Sequence, residues 1–84
     1  MINVEINMNK AKSGWYNIKI YGSDNRLATD ANVMLPKKDF YSIVKMLNKN
    51  GDINLLMFTK TPIGDGKYKF EYIDIDELLN NNQK

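Results

Sequence analysis

Apolar and polar residues alternate with period two from the start of the chain. Ile2, Val4, Ile6 and Met8 fall on one side, and Asn3, Glu5 and Asn7 on the other. A strand buried on one face has that period. Asn9 to Gly14 reads as a polar connection ending in a turn residue. Alternation resumes over 15–21, with Tyr16, Ile18 and Ile20 set against Trp15, Asn17, Lys19 and Tyr21. The cluster Gly22-Ser23-Asp24-Asn25 predicts a hairpin into a third strand over about 26–34. In that strand Leu27, Ala31, Val33 and Leu35 are expected to face inward, with Thr29 on the same side.

The period then becomes helical. Pro36 opens the helix, where its missing N–H does no harm. Phe40, Ile43, Val44 and Leu47 form the i, i+3, i+4, i+7 stripe of an amphipathic helix. Asp39 near its start and Lys45 and Lys49 near its end complement the helix dipole, and Asn50-Gly51 stops it. Residues 53–60, with Leu55, Leu56, Met57 and Phe58, predict a central, well-buried strand. Thr61 to Gly66 reads as a loop holding a proline and two glycines. The last strand is expected over 67–75. Because Lys67, Lys69 and Glu71 take one of its faces, Tyr68, Phe70 and Tyr72 on the other are expected in the core rather than on a platform. Residues 76–79 predict a helical turn, and 80–84, with no apolar residue, a frayed tail.

This is one domain over 1–79 in the order β-β-β-α-β-β, without repeats or a linker. The fold class expected is mainly β with one helix: an OB-like small barrel, or a strongly curved antiparallel sheet packed on the helix. Five strands with a helix between the third and fourth resemble the small OB-fold single-stranded nucleic-acid-binding proteins. That resemblance implies an oligonucleotide face on the second and third strands. The stretch 15–47 holds Tyr16-Asn17-Ile18-Lys19-Ile20-Tyr21, a turn, Val33-Met34-Leu35, and Phe40 and Ile43 on a helix. It is similar to the strand-turn-strand-helix part of the single-strand-binding transcription coactivator family, which works as a dimer and whose module ends at its helix. Met1-Ile2-Asn3-Val4-Glu5-Ile6 is similar to the opening of the filamentous-phage single-strand-binding proteins.

Composition narrows the chemistry. At 84 residues the chain has room for one core, and a domain of that size buries only roughly 60% of its unfolded surface. It has no cysteine and no histidine. Disulfides are excluded, as are most zinc, iron and copper sites and Ser-His-Asp or Cys-His catalysis. The expectation is a non-enzymatic protein without cofactor or metal. Asp74-Ile75-Asp76-Glu77 lacks the ligand spacing of a calcium loop, and Gly64-Asp65-Gly66 is no phosphate loop. The start lacks the basic and apolar regions of a signal peptide, and no stretch has the length of a membrane span, so cytoplasmic residence away from membranes is expected. Asn and Lys are abundant while Arg occurs once, a bias that fits an AT-rich genome such as that of a low-GC bacterium, its phage or a mobile element.

Net charge is +2, unevenly spread. Residues 1–69 carry a balance of +5 and residues 70–84 a balance of −3. A mildly basic body permits phosphate binding. The second strand offers the matching chemistry, with Trp15, Asn17, Lys19 and Tyr21 sharing one face. Aromatic rings stack bases for roughly 1–3 kcal/mol each while lysine meets the backbone. Arg26, Lys60, Lys67 and Lys69 extend a basic track. Against this, Trp15 equally fits packing over the end of the core, Tyr21 fits a core cap with a wetted hydroxyl, and a one-residue slip would swap the faces. Lys37 and Lys38 fit a solvated helix surface better than a contact. The expected function is single-stranded DNA or RNA binding, in a phage or mobile-element replication or recombination accessory. The alternative is a small interaction or inhibitor protein acting on a host protein through a sheet edge, the helix face with Tyr41 and Met46, or the acidic end. A homodimer is plausible in either case, given a thin core and open strand edges.

Overall fold

In the computed structural model, residues 1–9 and 14–81 are described. The expected connection at 10–13 and the last part of the expected tail, 82–84, lie outside them. Five strands and two helices follow in the order β1 (Ile2–Asn7), β2 (Trp15–Tyr21), β3 (Leu27–Met34), α1 (Lys37–Lys49), β4 (Ile53–Gly64), β5 (Lys67–Tyr72) and α2 (Ile75–Asn81). The expected β-β-β-α-β-β order holds, and α2 is added to it.

The strands form one sheet in the order β3-β2-β1-β4-β5, with β3 and β5 at its edges. The sheet is therefore open, and of the two expected architectures the sheet packed on a helix is the one observed. It is mixed rather than wholly antiparallel, since β1 and β4 run parallel, with Val4 beside Leu55 and Ile6 beside Met57. The chain makes that pairing by crossing from edge strand β3 through α1 to the far side of β1. Periodicity separates the two faces of a strand but does not name its neighbours, so the parallel pair was not legible.

One face of the sheet carries the core. Val4 and Ile6 on β1, Tyr16 on β2 and Met57 on β4 are buried with Phe40 and Val44 of α1 and Leu79 of α2. The Tyr16 and Phe40 rings stack 4.1 Å apart and nearly parallel, at 10°. Burial, with a smaller contribution from Tyr41, raises the Tyr16 phenol above its ordinary 10.0. Pro36 is the N-cap of α1 rather than its first turn, and its carbonyl accepts the Phe40 N–H at 2.9 Å. Asn50 ends α1 in an extended conformation and accepts the Asp52 N–H on its side chain at 2.9 Å.

Three expectations are corrected. Leu27 is half-exposed, because the register shifts between Ile20 and Tyr21 and sets Leu27 opposite Tyr21. Strand β4 does not stop before Thr61 but runs through Pro62 to Gly64, leaving only a tight turn at Gly64, Asp65 and Gly66, all with positive φ. Pro62 is tolerated there because β1 pairs β4 only as far as Phe58, so among the described residues no neighbouring strand needs the missing donor. Finally, β4 and β5 outrun the core. Every residue of β5 is exposed, so Tyr68, Phe70 and Tyr72 are not core residues.

Helix α2 extends the expected turn through Asn81. Asp74 caps it: its side-chain Oδ1 accepts the Glu77 N–H at 3.2 Å, and its carbonyl accepts the Leu78 N–H at 3.0 Å. The signal was the Asp-x-x-Glu spacing of a capping box. Asp76 accepts from Asn48 at 3.3 Å and so ties α2 to α1. Among the described residues no group of acidic side chains has the arrangement of a metal site, and no helix is long and apolar enough to cross a membrane.

Candidate binding face of the sheet

Residues that alternate with the core positions stand on the opposite, helix-free face, and the register orders them in rows. Asn32, Asn17, Asn7, Phe58 and Tyr72 form one row across all five strands. One step towards the β4–β5 turn, Met34 faces Trp15 and Lys60 faces Phe70. One step the other way, Asp30, Lys19, Glu5 and Leu56 line up, and beyond them Leu27, Tyr21, Asn3 and Asn54.

This face carries five of the expected site residues, namely Trp15, Asn17, Lys19 and Tyr21 of β2 and Lys60 of β4. Trp15 is 43% exposed and so is no buried plug of the core. Trp15 and Tyr21 nevertheless occupy opposite ends of β2, roughly 20 Å apart at the rise of an extended strand. They are not one stack. Tyr21 donates its hydroxyl to Glu5 at 3.3 Å and lines a concavity of about 270 Å³ with Asn3, Glu5, Asn25, Asn54 and Leu56. Amides bridge this end, Asn54 donating to Asn3 and Asn3 to Asn25, each at 3.1 Å. Asn25 sits at φ 64° in the β2–β3 turn, a conformation asparagine tolerates well.

The other end is aromatic. Phe58 and Phe70 lie 5.9 Å apart with a 53° tilt. The Lys60 ammonium sits 4.1 Å from the centre of the Tyr68 ring and 5.9 Å from that of Phe70, a cation held on ring faces. The Lys60 backbone is fixed by Asn9, whose side-chain oxygen accepts the Lys60 N–H at 2.6 Å and whose side-chain nitrogen donates to the Lys60 carbonyl. That amide continues the β1–β4 ladder where β1 runs out. Tyr68, Phe70 and Tyr72 are 48%, 51% and 67% exposed. They join Trp15 and Lys60 on this face, and the sequence missed them because alternation separates two faces without saying which is covered.

The remaining cations do not form one track. Lys19 pairs with Asp30 at 3.9 Å, and Asn17 donates to the same carboxylate at 3.0 Å. Arg26 pairs with Asp24 at 3.7 Å in the turn, both largely in water. Lys67 and Lys69 alternate with the aromatic residues of β5 and so stand on its other face, where Lys69 pairs with Glu71 at 3.4 Å. Among the described residues of the helix-free face, Lys19 and Lys60 are balanced by Glu5 and Asp30. What these residues offer is exposed rings, side-chain amides and a local cation, without a strong field among them. No protein-family model matches the chain, and no curated protein and no solved structure matches it.

Proposed function

We propose that the chain is a non-catalytic binding module that takes single-stranded nucleic acid on the helix-free face of its sheet. The observation that carries this reading is the grouping of exposed Trp15, Phe70 and Tyr72 on one face with Lys60. Splayed bases stack on Trp15 and on the β5 rings, and the Lys60 ammonium meets the phosphates between them. The amides of Asn7, Asn17 and Asn32 supply hydrogen bonds that tolerate sequence. The element order shared with small OB-fold domains adds support, since β2 is part of the oligonucleotide face in such domains.

Stacking outweighs charge in this mechanism. With Lys19 and Lys60 the lysines on the face among the described residues, their contribution to the slope of log affinity against log salt is about −1.4 or shallower, at about −0.7 per phosphate neutralised. Titration with oligo-dT at low salt is expected to quench the fluorescence of Trp15, with affinity falling along that shallow slope. Unchanged fluorescence and no complex would sink the reading.

A second reading has its own observation. The charges of the described residues on the face cancel, and Met34, Leu27 and Leu56 stand among its rings, a mixture that suits a protein partner. An inhibitor or adaptor acting on a host protein would bind no oligonucleotide and would recover one stoichiometric protein from a lysate.

A further inference from the structure

Strand β5 closes one edge of the sheet, and its outer backbone has a definite polarity. The Ile73 N–H donates to the Met57 carbonyl at 2.9 Å, while the Lys60 N–H, opposite Phe70, points away from β5 to Asn9. Hydrogen-bonded and non-hydrogen-bonded pairs alternate along an antiparallel ladder. Lys69 and Glu71 therefore bond to β4, and Tyr68, Phe70 and Tyr72 turn their N–H and C=O groups outward. The edge is straight in register from Phe58–Tyr72 to Pro62–Tyr68, and all six of its residues are exposed. Such an edge is a template for another strand unless something blocks it.

We propose that β5 is a homodimer interface, pairing antiparallel with β5 of a second copy about a two-fold axis at Phe70. The strand is self-complementary, which points to a second copy. In this register Phe70 meets Phe70, Tyr68 meets Tyr72, and Lys69 meets Glu71 twice, once on each side of the axis. The outward groups of Phe70 form the hydrogen-bonded pair on the axis, and Lys69 and Glu71 fall at the non-hydrogen-bonded positions, where side chains come closest. The other in-phase registers are poorer: one centred on Tyr72 sets Glu71 against Ile73 and forfeits both Lys69–Glu71 pairs, and the rest oppose like charges. Centring on Lys69 or Glu71 sets that residue against itself, and centring on Tyr68 sets Lys67 against Lys69 twice. Like charges directly opposite are destabilising. The other edge has no such code, since Asp30 is the single charged residue of β3. The two-fold axis keeps the helix-free faces of both copies on the same side and brings their aromatic stripes together. The interface does not depend on what that face binds.

Sedimentation of the full chain over a dilution series at low salt tests this. A concentration-dependent dimer is expected. Lys69→Glu and Glu71→Lys each place like charges across the pair and weaken the dimer by about tenfold or more. The double variant Lys69→Glu/Glu71→Lys restores it, and mixing the two single variants yields a heterodimer. Both side chains are 63% exposed, so circular dichroism should be unchanged. Phe70→Pro, which removes only an outward-facing donor from the backbone, gives monomer with the β4–β5 ladder kept. A wild-type monomer throughout the series, or a dimer indifferent to Lys69→Glu and Phe70→Pro, would overturn the proposal.

Discussion

Tyr16 shows how a single residue couples the core to a measurable property. Its ring stacks on Phe40 and its phenol is protonated more firmly than in the unfolded chain. A raised phenol pKa leaves stability intact below the unfolded value and removes it as pH climbs from there through the folded one. Denaturant midpoints of the wild type should therefore fall as pH rises past 10.0, with other groups adding their own decline. In Tyr16→Phe, which keeps the ring stack, the part due to this phenol is absent. Identical alkaline profiles for the two proteins would contradict the assignment. The inward position of Tyr16 was legible, because Tyr16, Ile18 and Ile20 share one side of a strand whose other side is wet. That Trp15 lies on the open face followed from the same alternation. Its separation from Tyr21 also follows from strand length, yet what Tyr21 does there depends on Glu5, which belongs to another strand.

Among the elements, those that bury one face could be read and those that bury none could not. Strands β1 and β2 and helix α1 each set one covered face against water, and their patterns gave both position and orientation. Strand β5 carries the same alternation without a covered face. Its aromatic residues look like core residues to any argument from pattern, and only the reach of α1 and α2 decides the matter. The long β4 was hidden by Pro62, a strand breaker wherever a neighbour needs its N–H, and among the described residues no neighbour does. Helix α2 left its mark in Asp74-x-x-Glu77. Replacing Asp74 with Ala should destabilise the protein by about 1 kcal/mol, as for other lost N-caps. Thermal or chemical denaturation would register that loss, and no loss would show that the cap is not needed to hold Leu79 in the core.

For the whole molecule, the division into faces organises what the chain can do. Helices cover one side of the sheet. The other presents rings at the β4–β5 end, balanced charges in the middle, and an amide-lined concavity at the far end. The lysines of α1, Lys37, Lys38, Lys45 and Lys49, lie exposed on the opposite side of the molecule. Two ways of meeting a nucleic acid are thus physically separate: stacking on the sheet, or charge attraction to the helix. Of the two, stacking on the sheet face is the mode proposed. Side-chain NMR shifts on titration with oligo-dT test it most directly, because rings and ammonium groups report which side is touched. The account predicts the largest shifts at Trp15, Phe70 and Tyr72, with Lys60 following. Shifts confined to Lys37, Lys38 and their neighbours on α1, or no shifts, would contradict it.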